Sequence, residues 1–586
     1  MKKFKRIFAL MLTTIMVFTL GIAASMTASA DDDILISIKA PDDNTNYVYS
    51  AYQVFKGDLV DGKLLNIDWG TGIDSTKTDS LLAALKADTK LTDGTNNIFK
   101  DCKNAAQVAE ILAEYENNSD IAFEFAEVVS GYLASSATAT STYNTTSKTY
   151  DIAPEAVGYY LIKNTDTTNN PKTRFMLEVL GKKTNAVAKA ILPTLDKKID
   201  TGTSKVSQNS AQVGDTVSFE LTSKVPDMTG YDKYFFIIND TLDKGFTFDP
   251  TTVVVKIGDA TATPLTINTD YTVSASTSDG TKIQIVFKDF IQYNTSTDIG
   301  KDITVTYNAT INQDANVTAA GNLNSANLTY SNDPNYDYKG ETGTNPNPDV
   351  PGSGEPTGTT PNSETKTYLT SIKVIKVDDS ATPQALTGAE FELKLKNGNI
   401  TSVIIGYQFV ADNTTAATYY KLTDGSYTTT APDGTNDALY ASTTQKYKKV
   451  TLDGTQTVPA AAAAITGYVD DNGYLTFKGL NAGEYTLKEL VAPAGYNKLL
   501  EDITFTINGA YDNDTKAFVW STTTGSKATY DSTNNVFEVT VVNKAGTTLP
   551  STGGMGTKLF YILGSLMVIG SVIMLVTKKR VATAEK

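Results

Sequence analysis

The chain has 586 residues, 40% of them hydrophobic and 20% charged, which is typical of a folded protein with several domains. Its formal net charge of −15 disfavours nucleic-acid binding, because contacts to phosphates require basic surfaces. With no histidine and a single cysteine, Cys102, it lacks Ser-His-Asp and Cys-His catalysis, His-ligated zinc and intramolecular disulfides. Tyrosine (31) outnumbers phenylalanine (22), which favours strands.

The first 30 residues predict a secretory signal peptide. A basic start, with four Lys or Arg within the first six residues, is followed by an uncharged and mostly apolar run over 7–24. The small-residue exit Ala28-Ser29-Ala30 predicts cleavage after Ala30. An uncleaved membrane anchor is the alternative, but it would not need this exit.

Residues 31–190 combine strands with the clearest helical periodicity of the chain. Strand-like runs open and close this segment, at 34–38, 159–162 and 174–179. Between them, apolar residues recur at helical spacing over 81–85, 105–115 and 121–133. We therefore expect an N-terminal domain with a helical insertion.

The following segments are rich in strands. Residues 191–333 and 366–547 contain many short β-like runs separated by Gly, Asp and Pro turns, a spacing that favours β-sandwiches. Residues 334–365 hold a third of the prolines and predict an extended linker. The expected fold class is mainly β: tandem immunoglobulin-like sandwiches, the first with a helical insertion.

Residues 549–586 have three parts in a fixed order. The motif Leu549-Pro550-Ser551-Thr552-Gly553 precedes an uncharged apolar stretch over 559–576 and a basic cluster at 578–580. The apolar stretch is long enough for a transmembrane helix. This order resembles the cell-wall sorting signal of Gram-positive surface proteins. The resemblance implies that a sortase cleaves between Thr552 and Gly553 and joins Thr552 to an amine. A plain single-pass anchor is the alternative.

The third segment resembles the collagen-adhesin B-type domain. The matching stretches are 372–378 with 386–391 near its start, 485–496, and 539–544 at its end. That family forms a spontaneous amide bond between a first-strand Lys and a last-strand Asn, assisted by a Glu. The resemblance implies a Lys376–Asn543 isopeptide bond assisted by Glu489, with Lys373 as the competing lysine.

This chemistry is physically sensible. A lysine buried among apolar strands is pushed toward its neutral, nucleophilic form. A nearby carboxylic acid can polarise the asparagine carbonyl and carry protons. The alternative is that each side chain simply points to solvent.

The middle segment resembles the middle domain of pilus backbone subunits, in which the assisting acid is an Asp. The matching stretches are 193–198, 212–217, 239–246 and 322–334. The resemblance implies a Lys197–Asn324 isopeptide bond assisted by Asp240. Alternation supports Asn324, because it shares a strand face with Ala326 and Leu328. Lys198 is the alternative to Lys197, since adjacent residues face opposite ways.

The N-terminal segment departs from this pattern. Aligning its Tyr-rich strand with that of the third segment places Asn164 where Glu489 stands. We therefore expect no crosslink of the same kind there, although Glu155 is nearby.

The boundary between the first two segments carries a candidate lysine. Pilus backbone subunits have a motif here whose lysine attacks the Thr–sortase intermediate of the next subunit. Lys189 occupies that place, a few residues before Pro193, but the flanking Tyr, Pro and Asn of the motif are missing. Lys182 and Lys183 are the alternative lysines, and the structural alternative is that Lys189 is an ordinary surface lysine in a domain junction.

Taken together, the chain resembles the major, or backbone, pilins of Gram-positive sortase-assembled pili. The resemblance implies a structural shaft subunit on the cell wall, with no cofactor and no metal site. The implied partners are pilus-type and housekeeping sortases, identical subunits joined head to tail, minor pilins, peptidoglycan and a host-surface ligand. A wall-anchored adhesin that is not polymerised is the main alternative. A surface hydrolase is disfavoured for lack of histidine and of a nucleophile motif.

Overall fold

The computed structural model describes residues 35–39, 46–116, 119–166, 172–180, 184–187, 192–343, 346–456, 460–512, 515, 517–547 and 555–583. This part of the chain divides into two compact units. The first runs to residue 369 and includes 509–519, and the second holds 370–508 and the residues from 520 onward.

The N-terminal domain packs three helices on one of two sheets. Its elements are β1 (Ile36–Lys39), β2 (Tyr49–Val60), β3 (Lys63–Trp69), α1 (Thr78–Ala87), α2 (Ala105–Leu112), α3 (Asp120–Ser130), β4 (Ala139–Thr140), β5 (Thr142–Asn144), β6 (Thr149–Ile152), β7 (Gly158–Asn164), β8 (Met176–Leu180) and β9 (Thr184–Val187). The sheets have the orders β5-β6-β1-β9 and β3-β2-β7-β8, with β4 beside β2.

Helices α2 and α3 begin where the sequence supplies a capping side chain. Asn104 accepts a hydrogen bond from the backbone of Gln107, and Ser119 accepts one from Ala122. The buried residues of all three helices join Phe55 of β2 in one apolar core, which also includes Cys102. The helical insertion expected from the periodicity is therefore confirmed.

The middle domain is a sandwich of two sheets. Its strands are β10 (Asp196–Asp200), β11 (Lys205–Val206), β12 (Gln208–Ser210), β13 (Thr216–Lys224), β14 (Phe236–Leu242), β15 (Phe246–Ile257), β16 (Tyr271–Thr277), β17 (Thr281–Phe287), β18 (Asp302–Ile311), β19 (Asn322–Ser331), β20 (Thr357–Thr359) and β21 (Ser363–Tyr368). One sheet has the order β11-β10-β13-β18-β15, and the other has β12-β21-β19-β14-β17-β16, with β20 beside β19. Alternate residues of β18 and β19 are buried, as expected for strands with one face in a core.

The Pro-rich segment differs from the linker expected over 334–365. Strands β20 and β21 pair with β19, so the end of this segment belongs to the middle sheet. Earlier in the segment, the buried ring of Tyr338 packs with Phe235 and Ile237, and its hydroxyl donates to the carbonyl of Pro356 at 2.7 Å. The Glu355 carboxylate accepts hydrogen bonds from the backbone N–H groups of Lys339 and Gly352. These contacts give the segment a packed structure, which proline content alone does not predict.

The third domain is built on a continuous sheet. Its strands are β22 (Thr370–Asp378), β23 (Glu390–Leu395), β24 (Val403–Ala411), β25 (Tyr420–Lys421), β26 (Tyr427–Thr428), β27 (Tyr447–Asp453), β28 (Ile465–Tyr468), β29 (Tyr474–Leu480), β30 (Gly483–Val491), β31 (Ile503–Asp512), β32 (Ala517–Thr522), β33 (Ala528–Asp531) and β34 (Val536–Asn543). The sheet runs β30-β23-β28-β24-β29-β22-β34-β33, and β22 and β34 pair in parallel.

A C-terminal helix, α4 (Met555–Thr583), follows the third domain. Its stretch Leu559–Arg580 has a mean hydropathy of 2.5, and none of its residues is buried within the protein. It is long and apolar enough to cross a membrane. With the sandwiches and the helical insertion, it completes the mainly β fold class expected from the sequence.

Candidate functional site

Lys197 is fully buried in the middle domain, which is rare for a lysine. It lies on β10, where alternation turns it inward and its neighbour Lys198 outward. Lys198 remains partly exposed and pairs with Asp196 at 3.2 Å. Of the two adjacent lysines, Lys197 is therefore the one shielded from water.

Asp240 and Asn324 approach Lys197 from the opposite sheet. They lie on the antiparallel strands β14 and β19, where Asp240 is opposite Ala326 and Asn324 is opposite Leu242. This diagonal placement puts both side chains on the same, inward face. Lys197 Nζ lies 2.5 Å from Asp240 Oδ2. The three predicted residues are thus brought into one buried cluster between the two sheets.

Tyr307 completes this cluster and was not among the residues selected from the sequence. Its hydroxyl donates to Asp240 Oδ2 at 2.7 Å and accepts hydrogen bonds from Lys197 Nζ at 2.9 Å and Asn324 Nδ2 at 2.7 Å. Its ring is buried beside Phe219, 5.3 Å between centroids. Inward-facing residues alternate along β18, and Tyr307 is the one with a polar tip among Ile303, Val305, Ala309 and Ile311. That pattern marks Tyr307 as an inward polar group but does not show which residues it meets.

Burial controls the ionisation of this cluster. Desolvation lowers the pKa of Lys197 below its ordinary value, although the Asp240 carboxylate opposes the shift. Desolvation also raises the pKa of Tyr307 well above its ordinary value, and the charge of Asp240 acts in the same direction. The tyrosine therefore keeps its proton at neutral pH, and the lysine is closer to its neutral form than in water.

The third domain contains a second cluster made of Lys376, Glu489 and Asn543, all at most 2% exposed. Asn543 Nδ2 donates to both oxygens of the Glu489 carboxylate, at 2.9 and 3.1 Å. Five strands separate β30, which carries Glu489, from β34 in the sheet order. The sheet therefore folds back on itself, and the cluster lies between its two layers.

Lys376 enters this cluster from the first strand of the domain. Its Nζ donates to the carbonyl oxygens of Val541 at 3.0 Å and Val377 at 3.2 Å. Desolvation lowers the pKa of Lys376 to about 8, despite the opposing charge of Glu489. The competing Lys373 is partly exposed and pairs with Glu538 at 3.2 Å. Lys376 is thus the lysine with the environment of a nucleophile.

Both asparagines carry a buried oxygen without a hydrogen bond. Asn324 Oδ1 and Asn543 Oδ1 find no partner among the described residues, and neither does Asp240 Oδ1. A buried, unpaired carbonyl oxygen is costly and needs an explanation. Both unpaired oxygens belong to the side-chain amides that the family resemblance implies as the targets of the lysines.

The N-terminal domain has a different arrangement at the position corresponding to Glu489. Asn164 lies at the end of β7, and its Oδ1 is 3.5 Å from Lys172 Nζ. Lys172 is partly exposed and forms an ion pair with Asp166 at 2.8 Å. Glu155 is exposed. The prediction of no crosslink of the same kind stays a prediction.

The residues implicated in sorting lie outside the described part of the chain. These are Ala30, Lys182, Lys183, Lys189 and the motif Leu549, Pro550, Ser551, Thr552 and Gly553. Lys189 follows β9, the last strand of the N-terminal domain, which pairs in parallel with β1. Among the described residues, no group of three or more His, Cys, Asp or Glu could hold a metal ion.

Three family matches cover separate parts of the chain. Residues 213–334 match the Gram-positive pilin backbone subunit 2, Cna-B-like domain. Residues 448–523 match the prealbumin-like fold domain, and residues 541–582 match the LPXTG cell wall anchor motif.

Similarity to individual known proteins extends over longer stretches. The trypsin-resistant surface T6 protein of Streptococcus pyogenes is 25% identical over 414 residues, covering 68% of this chain and 70% of the relative. The solved T6 backbone pilin of S. pyogenes is 16% identical, with a TM-score of 0.49 over 89% of this chain and all of that one. The full-length major pilin SpaD of Corynebacterium diphtheriae is also 16% identical, with a TM-score of 0.43 over 89% of this chain and all of that one.

The family matches and the curated relative agree with the architecture. A pilin-backbone domain coincides with the middle sandwich, and the anchor motif coincides with the end of the third domain and the apolar helix α4. The chain thus carries a pilin-backbone domain and a C-terminal cell wall anchor motif, and it is similar to the backbone pilins of Gram-positive bacteria.

Proposed function

We propose that two internal Lys–Asn isopeptide bonds, Lys197–Asn324 and Lys376–Asn543, stiffen this shaft subunit. The observation that carries the proposal is the burial of each lysine beside one acid and one asparagine. Buried lysine is rare, and two such clusters in one chain at the positions implied by the family pattern support a chemical role.

The reaction needs no external reagent. The lysine gives a proton to the neighbouring carboxylate, which leaves both groups uncharged in a dry site. Neutral Nζ then attacks the asparagine Cγ, and a new C–N bond forms. The attacking nitrogen gives up one proton, the acid passes one proton to Nδ2, the C–Nδ2 bond breaks, and ammonia leaves. Asp240 and Glu489 are the acids that would carry protons in the middle and third domains, respectively.

These bonds would change how tension passes through the subunit. In the third domain, force entering at β22 would cross from Lys376 to Asn543 and leave at the end of β34. In the middle domain, it would cross from Lys197 on β10 to Asn324 on β19. The strands between would be bypassed and would not unzip under load.

We further propose that a pilus-type sortase joins Thr552 of one subunit to Lys189 of the next, with Lys182 and Lys183 as alternatives. Joining two different surfaces head to tail produces an open filament and not a closed dimer. The implied further partners are a housekeeping sortase that attaches the fibre to peptidoglycan, minor pilins and a host-surface ligand.

The polymerisation proposal is tested on cell-wall extracts. The parent should give a ladder of high-mass species that resists SDS, and Lys189→Ala should leave only wall-attached monomer. A ladder that survives Lys189→Ala but disappears in Lys182→Ala or Lys183→Ala would move the linkage to another lysine. Absence of a ladder in the parent would contradict polymerisation and favour the unpolymerised adhesin.

A further inference from the structure

The two buried clusters connect acid and amide differently. In the third domain, Glu489 accepts hydrogen bonds directly from the Asn543 amide, at 2.9 and 3.1 Å. In the middle domain, the Asn324 amide nitrogen donates to the Tyr307 hydroxyl, and that hydroxyl donates to Asp240. The acid therefore reaches the leaving nitrogen through an intervening group.

The side-chain lengths account for this difference. Aspartate is one methylene shorter than glutamate, so its carboxyl group extends less far from the strand. Asp240 and Asn324 are also diagonal neighbours on β14 and β19, which are farther apart than directly opposite residues. Tyr307 extends from β18 in the facing sheet, and its hydroxyl fills the space between them.

Packing holds the hydroxyl in place. The Tyr307 ring lies 5.3 Å from the Phe219 ring and 5.4 Å edge-on from the Phe248 ring. Lys197 Nζ lies over the same tyrosine ring, 5.0 Å from its centroid. A hydroxyl held by two neighbouring rings and three hydrogen bonds is preorganised for one proton-transfer geometry.

We propose that Tyr307 is a catalytic residue of the middle-domain crosslink, which relays a proton from Asp240 to the departing nitrogen of Asn324. The inference rests on the proposed Lys197–Asn324 bond.

The relay balances atom by atom. After Asp240 has accepted a proton from Lys197, Nζ attacks Cγ, and Nδ2 becomes an amine that can accept a proton. The Tyr307 hydroxyl gives its proton to Nδ2 and takes the proton of Asp240. The attacking nitrogen then loses a proton to the Asp240 carboxylate, the C–Nδ2 bond breaks, and ammonia leaves. Tyr307 ends as it began.

The test uses the full chain displayed on its own bacterium and carrying Tyr307→Phe, which keeps the ring and removes the hydroxyl. After a short burst of labelled synthesis, the protein is released with a muramidase at successive times and digested with a protease. The branched peptide containing Lys197 and Asn324 is then measured by mass spectrometry. Loss of proton transfer should slow its formation by about 10²-fold or more.

Two controls separate chemistry from folding. Tyr271→Phe removes the hydroxyl of another buried tyrosine of the same domain, which donates to the Val253 carbonyl at 3.3 Å, and should leave the rate unchanged. The branched peptide from Lys376 and Asn543 should form normally in both variants. Adding Asp240→Glu to Tyr307→Phe lengthens the acid and should partly restore the rate, which a purely structural defect would not allow.

The outcomes distinguish this inference from the proposed function. If the parent never yields the Lys197–Asn324 peptide, the proposed crosslink itself is wrong. If the parent yields it and Tyr307→Phe forms it at the parental rate, the crosslink stands and the catalytic role of Tyr307 is overturned.

Discussion

Lys376 and Asn543 lie on adjacent parallel strands, with Lys376 opposite Val541 and Asn543 opposite Asp378. The offset of two residues places both side chains on the inward face. β22 is the first strand of the third domain, and β34 is its last strand. A bond between Lys376 and Asn543 would therefore link the strand by which the chain enters the domain to the strand by which it leaves.

Removing the Lys376–Asn543 bond should destabilise the third domain. Asn543→Ala should lower its melting temperature and expose it to protease, because a long closed loop is lost from the unfolded state. The loop from Lys376 to Asn543 is longer than 100 residues, a length for which loop entropy already contributes about 4.7 kcal/mol. The matched control is Asn497→Ala, an exposed asparagine of the same domain. Equal protease resistance in Asn543→Ala and the parent would show that no bond forms there.

Blocking formation of the Lys376–Asn543 bond should leave a free Lys376 amine whose protonation can be followed. In Glu489→Gln the amine stays free, and loss of the glutamate charge removes an effect that raises the pKa of Lys376, so this pKa should lie at about 8 or below. Between that pH and the ordinary lysine value the unfolded state binds more protons, so the stability of the domain should increase as pH rises. Urea unfolding at pH 7.5 and 10 measures this slope. In the crosslinked parent the nitrogen is an amide, and this contribution to the slope should be missing.

The middle domain offers two adjacent lysines for a matched comparison. Lys197→Met should abolish the branched peptide with Asn324, because the nucleophile is gone, and Lys198→Met should leave it intact. Lys197 is fully buried and Lys198 remains partly exposed at the surface. Peptide mapping of the two variants shows which of the two lysines is bonded to Asn324. A branched peptide that persists in Lys197→Met would assign the bond to another lysine.

The first unit should show a separate pH response at Glu124. Burial raises the pKa of Glu124 to about 7, assisted by the charge of Glu127, while Lys90 at 3.4 Å opposes the shift. Because the folded form holds the proton more tightly, stability should fall as pH rises from about 4.5 to about 7. Glu124→Gln should therefore raise the melting temperature at pH 8 and have little effect at pH 5. The same shift at both pH values would contradict this assignment.

Alternation along single strands predicts the positions of the candidate residues well. It turns Asn324 inward and separates Lys197 from Lys198, because one face of each strand is buried. The helical insertion follows equally from local periodicity. Tyr307 was missed because its role depends on a facing sheet, and strand patterns do not show which inward residues meet across a core.

The Pro-rich segment shows the same limit, that sequence patterns do not reveal tertiary contacts. Its composition favours an extended linker, but Tyr338 has an apolar site beside Phe235, and β21 has an open edge on β19. Both features are contacts with residues that are distant in the sequence. Local propensity therefore gave the wrong structure where packing partners decided the outcome.

The most direct test of the account is the intact mass of the secreted chain without its anchor segment, residues 31–547. We expect a mass lower than that of the sequence by two ammonias, one for each Lys–Asn bond. Asp240→Ala and Glu489→Ala should each restore one ammonia, in the middle and third domains respectively. A parental mass equal to that of the unmodified sequence would contradict the central claim.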